Sequence, residues 1–524
     1  MKKIFLLSFL LLLAIFTFSQ TFSGVVTDSE TGLPLSNVKV SIIEDFKTTT
    51  TNNQGEFTLT TINTNKKTVG FDLYGYMYEE QYHLSASTGL QIKLRKKIKS
   101  LASQRWDMYK DAGNCSVSIP NSEAWNVSFT GSDLKGDLAP NQNYTRRDPS
   151  AVIKVGDLYY VWYSYSLTAN ALKSAPWDLN DIYYATSEDG ITWSEKGAAV
   201  VRGAAGSYDA RSAFTAEIYV ENNKYYLVYQ AAETVEGVYS YNTVAMATAD
   251  SPDGPWTKLA DPILRPTHTN GWTTNTDGDF DDKCVHDPCL MFYKNKYYLY
   301  YKGECVADRT AGLCGSRHIK WGVAIADNPT GPYIKSEYNP ITNTGHEVSV
   351  WSYNEGIAIV QHLDGPEVGT IQYAKDGINF EIMGSASNIP EALGIYRDPN
   401  ATNTPHGGIK WGLSHVLKWN YGPKGWMYLK RFITPKEATN ALTNTNVNKI
   451  RVYPNKAKNS LNIKGLEAGF YKVLIFNSKG ESILSTNLNA STDSSVSIHK
   501  LVPGIYFIQL QNSNYNYAVN FSTI

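Results

Sequence analysis

Cysteine is scarce here, five in 524 residues, and histidine nearly so, with nine. Five cysteines are too few to frame a small disulfide scaffold, and no second CxxC-type pair or His pair stands at zinc-ligand spacing. An excess of either charge is also missing: Lys and Arg total 48 against 49 Asp and Glu, a formal net charge of −1. Such a chain lacks the basic face that a phosphate backbone demands, so no nucleic acid partner is expected, and no polybasic patch suggests a lipid surface. Beyond the N-terminus no apolar run is long enough to span a membrane. The cysteines that exist allow short closures, Cys305 with Cys314 around "CVADRTAGLC" or Cys284 with Cys289 around "CVHDPC", if the compartment is oxidising.

What is present begins with "MKKIFLLSFLLLLAIFTFSQ": two lysines, an apolar run and a small, polar end. This reads as a secretory signal peptide over residues 1–20, with a soluble exported protein behind it. Aromatics make up 13% of the chain, including 36 Tyr and 12 Trp, which suits a β-rich core first and a sugar-stacking surface second. The length calls for several domains.

Residues 21–98 alternate apolar and polar positions between turn signals, as in "GVVTDSETGLPLSNVKV", the pattern of short antiparallel strands. The segment resembles the carboxypeptidase-regulatory-like β-sandwich. Residues 99–435 carry an internal repeat. "KVGDLYYVWYS", "VENNKYYLVYQ" and "YKNKYYLYYKG" start roughly 65 to 70 residues apart, and each precedes a Gly turn such as "SEDGITW" or "SPDGPW". Two more units, around Gly356–Leu363 and Ile409–Trp419, bring the count to five, which predicts a five-bladed β-propeller. Residues 436–449 lack an apolar period and form a linker. Residues 450–524 return to short strands and resemble the type IX secretion sorting domain, on Val452-Tyr453-Pro454-Asn455 and Leu501–Leu510. The fold class expected is all-β, a five-bladed propeller flanked by two small β-sandwiches.

A propeller gathers the first strand of every blade at its axis, so polar residues at blade entries converge. Four entries stand out: "RRDPS" with Arg147 and Asp148, "ARSAFTAE" with Arg211, Thr215 and Glu217, "CVHDPC" with His286 and Asp287, and "GHEV" with His346 and Glu347. An Asp before Pro is an ordinary turn former. Recurrence at successive blade entries is what turns it into a candidate site. Glycoside cleavage needs this kind of cluster, one group protonating the leaving oxygen and another activating water across the sugar ring.

With "SLASQR" (Ser100–Arg105), "RRDPS", "FTAE", "HDPC" and "KWGVAIADNPTGPYIKSEYNPITNTGHEV" in this order, residues 100–433 resemble glycoside hydrolase family 117, the exo-acting α-1,3-(3,6-anhydro)-L-galactosidases. The resemblance implies Asp148 as general base of an inverting mechanism, Asp287 as a supporting acid, His346 as general acid and Glu347 as its partner or a sugar ligand. It assigns Thr215 and Glu217 to substrate contact; Arg147, His286 and Trp321 are further substrate-binding candidates. It implies no required cofactor, with a divalent cation near the propeller axis in some members, an N-terminal helical segment used for dimerisation, and an algal galactan oligosaccharide as substrate. The sorting-domain resemblance adds the type IX secretion machinery as partner and a secreted or cell-surface location. The alternatives are a family 43-like arabinosidase or xylosidase with Glu217 or Glu347 as acid, and a non-catalytic glycan-binding propeller.

Overall fold

The computed structural model describes residues 19–434 and 451–523, apart from 64, 172–174, 236–240, 268–279, 306–312, 315–316, 419–425, 456–458, 465, 467, 478–481, 491–492, 500 and 512–515. The apolar leader and the linker at 436–449 lie outside the described residues. The chain forms two compact units, Met1–Ile433 and Thr434–Ile524.

In the first unit, Gln20–Asp28 pairs with Glu56–Thr61 and Ser87–Leu94, and a second sheet orders Lys47–Thr50, Lys39–Ile42, Lys67–Asp72 and Glu79–Leu84. Glu56–Thr61 alternates exposed and buried residues without a break, the period-2 pattern of a strand with one face in the core. Phe22, Val26, Val40, Phe57 and Phe71 fill the space between the sheets. Arg95 then reaches Glu337 at 2.8 Å and the Lys335 carbonyl at 2.7 Å, tying this sandwich to the propeller's third blade.

Five sheets follow in chain order, and their inner strands are Tyr144–Arg147 continued by Ile153–Val155, Ser212–Glu221, Cys284–Tyr293, Glu347–Tyr353 and Glu391–Ile395. The repeated aromatic stretches are the second strands, Leu158–Leu167, Lys224–Ala232 and Lys296–Glu304. Their aromatics pack between blades: Trp162, Tyr229, Tyr300 and Tyr301 are all buried. Inner and second strands are joined by two-residue turns in three blades, with both residues at positive φ: Asn222–Asn223, Lys294–Asn295 and Asn354–Glu355. That backbone matches the right-handed twist of the strands it connects. The ring is closed by early residues: Thr130–Asp133 pairs with Trp426–Ile433 as the outer strand of the fifth blade.

Before the ring, the helix α1 (Leu101–Ala112) is capped by Ser100, whose hydroxyl accepts from Ser103 N, and stopped by Gly113 in the left-handed region. The Ser100, Ala102 and Arg105 element turns inward on its own propeller. Ser100 Oγ donates to the Pro340 carbonyl at 2.7 Å, Ala102 is buried, and Arg105 grips the buried Glu367 at 2.8 and 3.0 Å.

The second unit pairs Ser460–Lys464 with Arg451–Asn455 and Asp493–Ser497, and a further sheet orders Ser482–Ala490, Gly469–Asn477, Gly504–Gln511 and Asn516–Thr523. Leu461, Ile463, Val473, Ile475, Ile508 and Leu510 form its core.

The cysteine expectations are corrected. Cys314 is joined to Cys115, not Cys305, and Cys284, Cys289 and Cys305 are buried outside that disulfide. Cys284 and Cys289 lie on one strand. Five steps along a strand span about 16 Å, far beyond disulfide reach.

Candidate active site

Four of the five inner strands carry the same irregularity. Asp148, Thr215, Asp287 and Ala392 all sit at φ between 46° and 50°. Register slips at that point in three blades, between Phe214 and Glu217, His286 and Cys289, and Glu391 and Gly394; in the first blade the inner strand is interrupted between Arg147 and Ile153. Such bulges re-aim a side chain, and a left-handed non-glycine residue persists only where packing enforces it. The fourth blade keeps its register through Glu347–Tyr353 and delivers Glu347 at the strand's start.

These side chains meet in one cavity of about 300 Å³, lined by Asp148, Thr215, Glu217, Asp287, Trp321 and Glu347 among others. His346, Arg147 and His286 do not line it. His346 stands at its edge, 40% exposed, with Nδ1 3.3 Å from Glu347 Oε1. Arg147 sits behind Asp148, its Nη2 2.6 Å from Oδ2. His286 is half-buried beside Asp287, its Nε2 without a hydrogen-bond partner. Arg211 is held away by Asp178 at 2.6 Å. Trp321 is buried and donates its indole N–H to the Gly345 carbonyl, so it serves as wall.

The two bulge aspartates end with opposite acidities. Burial pushes Asp148 up, but the Arg147 charge and the bond to His415 outweigh it and hold the carboxyl well below the usual range; Thr215 Oγ1 donates to it at 2.8 Å. Burial also pushes Asp287 up, Lys302 opposes, and the charges of Glu347 and Asp148 leave the net shift upward. Glu347 is driven up by burial but brought down to about 2 by His346 and Lys302. The pair therefore keeps Glu347 ionised. Glu217 accepts from Ala151 N at 2.6 Å and pairs with Arg397, yet burial dominates and raises its pKa.

Four residues of this cluster escape the inspection of blade entries. Lys302, Arg397, His415 and Glu391 sit on a second strand, a loop, a second strand and the fifth blade's entry. Signals existed for three of them: Lys302 is a charge directly after the apolar run "YYLYY", Arg397 opens a second "RDP" after the one at Arg147, and Glu391 stands in "NIPEALGI" at the spacing of a blade start. His415, mid-strand in "GLSHVLK", gives none.

The axis offers a cation little. Most carboxylate oxygens there are already engaged: Asp148 by Arg147, Thr215 and His415, Asp287 Oδ2 by Lys302, Glu347 by His346 and the Ala392 N–H. Among the described residues, Cys284, His286 and Glu304 also bring ligand atoms within 4.8 Å of one another. There Lys283 lies 2.6 Å from Glu304 and already supplies the positive charge. No step is routed through a metal.

A buried cluster of acids, one ionised and one raised, in a sugar-sized cavity at the axis of a five-bladed propeller defines a glycoside hydrolase. A solved family 117 glycoside hydrolase of the marine bacterium Zobellia galactanivorans is 35% identical, with a TM-score of 0.50 over 60% of this chain and 92% of that one. The chain belongs to glycoside hydrolase family 117. The model of the glycosyl hydrolases family 32 N-terminal domain matches residues 138–313, that of the CarboxypepD_reg-like domain 22–104, and that of the secretion system C-terminal sorting domain 451–521. Probable arabinan endo-1,5-alpha-L-arabinosidases A of Aspergillus flavus and Aspergillus oryzae are each 26% identical over 220 residues. That match takes in 40% of this chain and spans 59% of those relatives' length. The sorting domain places the protein on the type IX export route, at the cell surface or beyond, and no helix among the described residues is long and apolar enough to cross a membrane.

Proposed function

We propose that this chain is an exo-acting, inverting glycoside hydrolase that releases terminal 3,6-anhydro-L-galactose from α-1,3-linked agar oligosaccharides. Asp148 is the general base, kept ionised by Arg147 and His415. Asp287 supports the site, and His346 is the general acid. Glu347, held ionised by His346 and Lys302, cannot hand over a proton. Thr215, Glu217 and Arg397 position the sugar. The observation that carries this reading is the pair of aspartates on equivalent bulges with opposite pKa shifts, the arrangement by which two carboxyls divide base and supporting roles. The reading requires no metal, and residues 1–20 are a signal peptide removed on export.

Incubation with neoagarobiose tests the substrate: free anhydrosugar of inverted anomeric form is expected, and none appearing defeats the substrate claim. A second reading has its own support. Glu217 is buried with a raised pKa, as a carboxylic acid donor needs, and fits a family 43-like arabinosidase or xylosidase. Arabino- and xylo-oligosaccharides in the same panel separate the two. Binding of agar oligosaccharides with no product after long incubation would mark a silent glycan-binding propeller.

A further inference from the structure

His415, which helps to hold Asp148 ionised, is engaged by a carboxylate at each ring nitrogen. It lies on the fifth blade's second strand, Trp411–Lys418, with its side chain 3% exposed. Nδ1 stands 3.0 Å from Asp148 Oδ1, to which it donates when protonated, and 3.2 Å from the Asp148 backbone N–H, from which it accepts only when it carries no proton; Nε2 stands 3.3 Å from Glu391 Oε2. Glu391 is on the partner strand, where it pairs directly with His415. The imidazole thus crosses from an exchangeable outer carboxylate to the inner one. Glu391 and His415 line a second cavity of about 310 Å³ together with His362 and Lys430, while Asp148 lines the catalytic one.

We propose that His415 is a positioning residue, an imidazolium clamped between Glu391 and Asp148 that fixes the rotamer of the catalytic base and holds it ionised. The proposal rests on the reading of Asp148 as the base. Geometry supplies the first half: Thr215 Oγ1 and Arg147 take Oδ2, so His415 alone among the described side chains fixes Oδ1. Electrostatics supplies the second. The charged groups that act on it are Asp148 with Arg147 behind it, Glu391, and Glu347 on the fourth inner strand; His362, on the strand beside that, shares its outer cavity, and so does Lys430 on the fifth blade's third strand, which pairs with Asp133 at 3.4 Å. Negative groups dominate, and although burial disfavours the charged ring, the bonds to Asp148 and Glu391 raise its pKa to about 9. A buried cation beside a general base does what a positioning group does in other hydrolytic sites: it acts on the geometry and charge of its neighbour without touching substrate.

The test combines turnover of neoagarobiose with a readout that needs no substrate. For His415→Gln, kcat should fall about 10- to 100-fold with KM within about twofold, and the acidic limb of kcat/KM should move to higher pH because the base loses its cationic partner. Glu391→Gln should move the limb the same way by less. In long-range ¹H–¹⁵N spectra of histidine-labelled protein, the resonances missing from His415→Gln should show both nitrogens protonated at pH 7.5. They should revert toward a neutral tautomer in Asp148→Asn. An unmoved acidic limb in both variants, or a neutral ring in the native protein, overturns the proposal. If His415→Gln fails to fold, the native spectrum and Glu391→Gln still decide. Asp148→Asn assayed alongside separates the two levels: full turnover there sinks the base assignment, whereas loss there with unchanged His415 and Glu391 profiles sinks only this inference.

Discussion

Asp148 and Asp287 precede a proline in equivalent bulges, so local sequence gives them the same environment; their partners make them differ. Asp148 faces Arg147 and His415, whereas Asp287 shares Lys302 with two competing carboxylates. Asp148→Asn should therefore lower kcat by about 10²- to 10⁴-fold with KM little changed, read by steady-state kinetics on neoagarobiose. His346→Gln should cost a similar factor; near-normal turnover would transfer the acid role to a carboxyl, Glu217 first. His415 also links to stability. Its folded pKa near 9 exceeds the unfolded value of about 6.5, so its stabilisation is complete below about pH 6.5 and lost as pH rises through 9. Between pH 6.5 and 9.5 the native Tm should fall more steeply than that of His415→Gln, a difference of at most about 3 kcal/mol. At this scale the site was legible wherever chemistry recurs at blade entries: Asp148, Thr215, Glu217, Asp287 and Glu347 converge as the repeat suggested. The partners that tune them were not, because Lys302 and His415 come from second strands, where cross-strand register rather than sequence proximity brings them in.

At the scale of elements, the repeat was readable because its turns are chemically marked. Asn-Asn and Lys-Asn accept the left-handed backbone that a two-residue hairpin requires, and the aromatic strand after each fills the gap between blades. The bulges were invisible, since a single extra residue leaves no compositional trace in an apolar strand. Helix α1 shows how a short polar motif anchors an element. Glu367 is fully buried and takes Arg105, Asn343 and Gln372 as donors. Arg105→Ala should destabilise by about 3–5 kcal/mol, because a buried carboxylate loses its counter-charge, while Ser100→Ala should cost about 1 kcal/mol through the lost cap; chemical denaturation of the two variants checks the ranking.

At the scale of the molecule, the division at Ile433 separates catalysis from export. The second unit has its own core of Leu461, Val473, Ile475 and Ile508. A chain ending at residue 434 should keep full glycosidase activity when purified from a cytoplasmic expression host, yet fail to cross the outer membrane in a type IX-competent one, as fractionation would show. The families of the flanking segments were legible because both segments carry family-like motifs at their own strand spacing. The cysteine pairing was not, because Cys115 and Cys314 are 199 residues apart and only the folded ring makes them neighbours.

The ring closure has a consequence in time. Gly131 pairs with Phe432 and Ser132 with Arg431, so the last strand of the propeller to leave the ribosome is the partner of the first. Until it arrives, the fifth blade lacks its third strand and Thr130–Asp133 lacks its partner, so the circle stays open. The circle can therefore close only once most of the chain has been made.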